Sequence, residues 1–169
     1  MSYFKQNVGF TLIELIVVVS LISLLLFIAI PRFQNSVFSD PTQTTSRWII
    51  ANVRALKENA VRDQMRYALN IDLDSNKMWV TNVSMSEDEL ENAELQGYKL
   101  PDDVRLIDVE YPQNEIIALG TADIRFYQKG YSDKAVIHIE NNDSEQRSFL
   151  IEPFLPRVKL YEKHIAFEN

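Results

Sequence analysis

Residues 8–20 read VGFTLIELIVVVS, and one residue among them decides how the chain is to be read. Glu14 is a single acid inside a run that is otherwise apolar, Ser or Thr from Phe10 to Ile30. A carboxylate at the centre of a bilayer costs about 3 kcal/mol on insertion scales, so an acid placed there is a functional suspect. The 21 residues of the run predict a helix of roughly 31 Å, which matches a hydrocarbon core of about 30 Å. A cleaved secretory signal would have a shorter apolar region followed by small residues. Here Ile30-Pro31-Arg32-Phe33 follows, so the segment is expected to be retained. Lys5 before it and Arg32 after it give almost no orientation bias.

The wider stretch, GFTLIELIVVVSLISLLLFIAIPRF at residues 9–33, resembles the N-terminal signature of type IV pilins and of the pseudopilins of type II secretion. Gly, Phe, Glu and Pro all agree in register. The resemblance implies a leader, Met1–Gly9, removed by a prepilin peptidase at Gly9–Phe10, with N-methylation of the new terminal Phe10. It also implies an assembly role for Glu14 and a helix break at Pro31. The chemistry then accounts for the acid. Cleavage frees a cationic α-amine at the head of an apolar helix, and Glu14 lies one turn further on the same face. In a fibre of staggered helices, Glu14 of one subunit can neutralise the amine of its neighbour. Removing one partner of such a buried pair costs about 3–5 kcal/mol, so the pair enforces axial register.

Beyond Pro31, which removes a backbone donor and should loosen the helix, the chain restarts at Asp40-Pro41. Asp40 suits an N-cap and Pro41 the first helical position. Ile49, Val53, Leu56 and Ala60 then repeat at helical spacing, predicting an amphipathic stem that ends near Arg66. Its other faces are basic, with Arg47, Arg54, Lys57, Arg62 and Arg66 against Glu58 and Asp63. Such charges are either solvated, paired within the subunit, or a contact for an acidic neighbour.

After Tyr67 the period changes to two. Leu69, Ile71 and Leu73 alternate with Asn70 and Asp72, "DSNK" turns the chain and "MWVTNV" returns it. Asp72, Asp74 and Asn76 open like a calcium loop, but Lys77 stands where the loop needs glycine and Val83 where it needs a bidentate Glu, so a hairpin turn is expected. Ser86 and Glu89 form a capping box ahead of a short acidic helix. Strands are expected at 104–111, 122–127, 135–140, 147–152 and 158–161, punctuated by Gly120, Gly130, Asn141-Asn142-Asp143 and Pro156. The fold class is therefore α+β: a long N-terminal transmembrane and stem helix followed by an antiparallel, β-sandwich-like head. The expected divisions are 1–9 (leader), 10–30 (transmembrane and assembly helix), 31–66 (helical stem) and 67–169 (periplasmic head).

The head layout, with ANVRALKENAVRDQ, YALNIDLDSNKMWV, IRFYQKGYSDKAVIHIE and SFLIEPFLPRVKLYE, is similar in pattern to minor pseudopilins of the H type and to related minor pilins. That implies a structural subunit of the type II secretion pseudopilus supporting protein export, anchored by a single pass in the inner membrane. Its implied partners are other pseudopilins, major and minor, the prepilin peptidase and the inner-membrane assembly platform. In that family the subunit at the extreme tip commonly lacks the acid, so Glu14 implies an internal minor subunit. The alternative is a minor type IV pilin, in pilus assembly or DNA uptake.

Composition narrows the other classes. The chain has 169 residues, a net charge of −7 and no cysteine. The acidity argues against nucleic-acid binding, which needs a basic footprint. It is concentrated between Glu87 and Glu115, where ten acids face only Lys99 and Arg105, and no spacing there specifies a calcium site. Thiol chemistry is excluded, and no phosphate-loop or dinucleotide motif occurs. His138, alternating with Ile137 and Ile139, is expected on the solvent face of a strand beside Glu140, and His164 in a mobile C-terminus. No catalytic residue, metal or cofactor is expected. A membrane-anchored enzyme remains as the contrasting reading, in which loss of Glu14 would leave activity intact.

Overall fold

The computed structural model describes residues 12–37, 40–113 and 115–167. Gly9 and Phe10, the expected cleavage pair, lie outside the described residues. The chain divides into two compact units, Met1–Asp40 and Pro41–Asn169.

The first unit contains α1 (Leu12–Val37), which continues across Pro31. Any loosening at that proline therefore does not take the form of a helix end. Ser20, a polar residue in this apolar setting, donates its hydroxyl to the Ile16 carbonyl at 2.8 Å, one turn back. Among the described residues no helix is long and apolar enough to cross a membrane. The environment of the α1 side chains is described only from Leu12 to Leu25, so the expected span Phe10–Ile30 falls partly outside the described residues.

The second unit opens with α2 (Pro41–Arg62). It starts at the proline expected to start it and ends before the expected Arg66, with Gln64 already at positive φ. One hairpin follows, β1 (Tyr67–Asp72) and β2 (Lys77–Asn82). Its turn is held locally, for Asp72 Oδ1 accepts from the backbone N–H groups of Asp74 (3.0 Å) and Ser75 (3.3 Å). Hydrogen bonds, first that from the Ser75 hydroxyl, hold the Asp72 carboxyl below its usual range. Then come α3 (Glu87–Leu95), β3 (Tyr98–Lys99), β4 (Val104–Tyr111), β5 (Glu115–Ile117), β6 (Thr121–Phe126), β7 (Ala135–Asn141), β8 (Gln146–Ile151) and β9 (Lys159–Tyr161).

The strands make two antiparallel sheets, in the orders β3-β2-β1-β6 and β5-β4-β7-β8-β9. Alternation assigns one face of each sheet to a common core. Leu69, Ile71, Met78, Ile124 and Phe126 come from the first sheet, and Val109, Ile137, Ile139, Phe149 and Ile151 from the second. The α2 stripe Ile49, Val53, Leu56 and Ala60 joins them, fully or almost fully buried. Tyr111 of β4 ties the two sheets by donating its hydroxyl to the Asp123 carbonyl of β6 at 2.7 Å. Burial pushes that phenol's pKa well up, so it remains a donor. Asn76, in the β1–β2 turn at φ +55°, bridges across as well. Its amide donates to the Val104 carbonyl (2.6 Å) and accepts from the Leu106 N–H (2.7 Å).

One irregularity positions the features described next. In β4 the register with β7 shifts between Leu106, opposite Ile139, and Asp108, opposite His138. Ile107 is therefore an extra residue, a β-bulge, and it reverses the phase of the strand. Val104 and Leu106 face the core before it and Val109 after it. Asp108 and Glu110 are thereby turned onto the outer face of the sheet.

Candidate functional site

The first candidate is the surface of α1. Its large apolar side chains between Leu12 and Leu25 are exposed by 44–79 %, on all sides of the helix. A helix apolar all round is one that other matter must cover, whether lipid or protein. Glu14, itself exposed, is the one acid of α1 and lies on this surface. Of the four residues singled out in the sequence, the structure thus places Glu14 on this surface and Pro31 within the same helix. Gly9 and Phe10 lie outside the described residues.

The basic faces of α2 are mostly satisfied within the chain. Arg54 pairs with Glu58 (2.8 Å) and Arg62 with Asp63 (2.9 Å), both at exposed sites of small energetic weight. Lys57 differs. Its side chain is buried, and its ammonium donates to the carbonyls of Glu152 and Leu155, each at 2.6 Å. Burial lowers its pKa. This contact anchors the 152–155 loop against α2 and forms one lip of an open, largely apolar groove of about 430 Å³ lined by Val61, Phe154, Leu155 and Pro156.

A second cluster surrounds His138, which was expected to face solvent. His138 does lie on the outer face of β7, as its alternation with Ile137 and Ile139 predicts, but it is fully buried. The C-terminal segment covers it, and His164, expected to be mobile, stacks on its ring with centroids 4.0 Å apart. His138 Nδ1 lies 2.6 Å from Asp108 Oδ1, and its Nε2 lies 2.8 Å from the Ile165 carbonyl. Glu140, on the same face, is occupied elsewhere. Hydrogen bonds from Gln146 and then Arg105 hold its carboxyl below the usual range.

Asp108, His138 and His164 offer ligand atoms within 4.8 Å of one another. The arrangement does not suit a metal. Each nitrogen of His138 already faces a protein oxygen, and rings parallel to within 10° send their in-plane lone pairs alongside each other rather than to one point. Ser148, the cross-strand neighbour of His138, has its hydroxyl engaged by the Lys163 carbonyl and the Ile165 N–H, and both ring nitrogens of His138 are directed at other oxygens. The sequence hid this cluster because the residues that bury His138 lie 26 and 27 positions away, in a segment with no periodic pattern. The one available signal was the broken alternation of Val104, Leu106 and Val109, which marks the bulge.

The overall arrangement of α2 and the two sheets has known counterparts. Two structures of the minor pseudopilin EpsH from the Type 2 secretion system of Vibrio cholerae are similar to this chain. One aligns at TM-score 0.58 and 12 % identity over 76 % of this chain and 100 % of that one. The other aligns at TM-score 0.56 and 13 % identity over 76 % and 98 %. The fold is pseudopilin-like. Neither the protein-family models nor the curated protein sequences contain a match to the chain. At such low identity the likeness is one of fold. The functional reading rests on this chain's own residues.

Proposed function

We propose that this chain is a minor pseudopilin, a structural subunit of a type II secretion pseudopilus that supports protein export. The observation that carries the proposal is the apolar α1 surface with Glu14 as its single acid, joined in one chain to a pseudopilin-like head. A helix exposed in this way requires a lipid or protein surround, and Glu14 supplies a register-setting charge for a neighbour's α-amine. In this reading a prepilin peptidase cuts between Gly9 and Phe10 and Phe10 is N-methylated. The apolar run Phe10–Ile30 then holds the subunit in the inner membrane by a single pass, with the head in the periplasm. The assembly platform extracts it into the fibre beside major and minor pseudopilins. The role is structural and needs no catalytic residue, metal or cofactor.

A secretion assay with Glu14→Ala tests the reading. Export is expected to fall by about the factor of 100 or more that a loss of 3–5 kcal/mol per contact implies, with the variant still present in the membrane. Normal export with Glu14→Ala would contradict it. A defect in surface pili or DNA uptake with export intact would assign the chain to a type IV pilus instead.

A further inference from the structure

The groove at the C-terminal end of α2 is left open by the fold. Gly130, in the turn after β6, packs against α2 closely enough that a Cβ there would lie 3.5 Å from Val61 Cγ2. That turn also carries Tyr127 and Tyr131, stacked with ring centroids 4.6 Å apart, and Phe154 leans on Tyr131 at 6.1 Å. Phe154 is nevertheless 83 % exposed, with Val61 and Leu155 exposed beside it. A second depression of about 300 Å³ shares the turn and is lined by Arg66, Val83, Lys129 and the two tyrosines. Arg62, at the groove, is already paired with Asp63. Arg66 and Lys129 are exposed and, among the described residues, have no ion-pair partner. The floor is thus apolar and the unpaired charge beside it is positive. A surface of this kind is completed by an apolar anchor flanked by acids.

The same chain carries that complement. No side chain of α3 is buried, so the core does not dictate its composition. At 3.6 residues per turn, Leu90, Glu94, Glu87, Glu91 and Leu95 follow one another around about 140° of the helix. Ala93 lies outside that arc and is half-buried toward β2, which fixes the face that points outward. Leu90 and Leu95 are exposed, Leu95 by 71 %. Among the described residues, none of the three acids between them has an ion-pair partner. This helix does not fill the groove of its own chain. It packs on β2, at the edge of the first sheet, whereas the groove lies between α2 and the loop after β8.

We propose that α3 of a second copy of this chain docks in the groove at the C-terminal end of α2. Leu90 and Leu95 enter the apolar floor, and Glu87, Glu91 and Glu94 face Arg66 and Lys129. This is the helix-in-groove mode of recognition. The nine residues of α3 make a helix roughly 14 Å long, so the contact is small and suits molecules already held near one another. Its two halves are different surfaces of one chain. The contact is therefore heterologous: each copy offers both halves, and copies add in a row rather than closing as a symmetric pair. The inference goes beyond the secretion reading and does not rest on it, and its test needs no export assay.

The chain has no cysteine, so disulfide cross-linking between introduced thiols reads the contact directly. Val61→Cys marks the groove and Leu95→Cys marks α3, both at exposed positions. In cells producing the full chain, each variant alone is expected to give little covalent dimer under mild oxidation. The two produced together should give it readily, and a chain carrying both substitutions should give a ladder of dimers, trimers and larger species. Arg66→Glu with Lys129→Glu in the groove copy should cut the mixed dimer by about tenfold or more, because like charges then meet across the contact. Glu91→Lys with Glu94→Lys in the α3 copy should restore it, and that restoration separates a lost contact from a lost fold. Absence of the mixed dimer would overturn the proposal, as would a dimer formed equally well by Leu95→Cys alone. A yield indifferent to the charge reversals would do the same. So would a groove thiol that cross-links to a protein of different mass in place of the second copy.

Discussion

Glu14 and Lys57 are both charged residues in apolar settings, and the physics that justifies each is different. Glu14 has a surface around it that awaits other molecules, so its removal should leave the folded head unaffected. Glu14→Ala is therefore expected to keep the thermal unfolding midpoint of the head while export fails, a separation that calorimetry beside a secretion assay would read. Lys57 is satisfied within its own fold, by the carbonyls of Glu152 and Leu155. Lys57→Ala leaves those acceptors without their donor, and the cost expected is about 1–3 kcal/mol, measurable as a lower urea midpoint. The sequence distinguishes this acid and this base unequally. A lone carboxylate in an apolar run stands out by itself, whereas Lys57 reads as one more cation on a basic face, because its acceptors lie 95 and 98 residues away.

At the scale of elements, local chemistry was legible and distant pairing was not. Pro41 starts α2, and the capping box of α3 is present in full, with Ser86 and Glu89 each bonding the other's backbone. Hydrogen bonds from Ser86 hold the Glu89 carboxyl below its usual range. Because α3 buries no side chain, its stability rests largely on that cap. Ser86→Ala should cost about 1 kcal/mol locally, seen as faster amide exchange through 87–95 with little change in global unfolding. The strands with clean alternation, such as β1 at Tyr67–Asp72, follow from the pattern. The two-residue β3 and three-residue β5 are too short to show a period, and they exist because β2 and β4 offer them edges. The buried state of His138 belongs to the same class, since a strand's alternation gives the face of a residue but not what covers it.

At the largest scale, one core joins α2 to both sheets of the second unit, and a deletion at its centre should be felt throughout that unit. Phe149, fully buried among residues of that cluster, is expected to cost about 3–5 kcal/mol as Phe149→Ala, against about 0.5 kcal/mol or less for Leu119→Ala at an exposed position. Chemical denaturation of the two variants compares them directly. The α+β architecture with antiparallel sheets was legible because helical spacing gives way to period two near Tyr67 and does not return for more than one short helix. The sheet orders were not, since β6 leaves its sequence neighbours to pair with β1.

The central claim is that this chain is matured and assembled as a pseudopilin, and the most direct test is the intact mass of the protein from membranes of cells with and without active prepilin peptidase. The account predicts a mass lacking Met1–Gly9 and carrying one added methyl group, only where the peptidase is active. An unprocessed chain in both cells would contradict it and leave Glu14 in need of a different explanation.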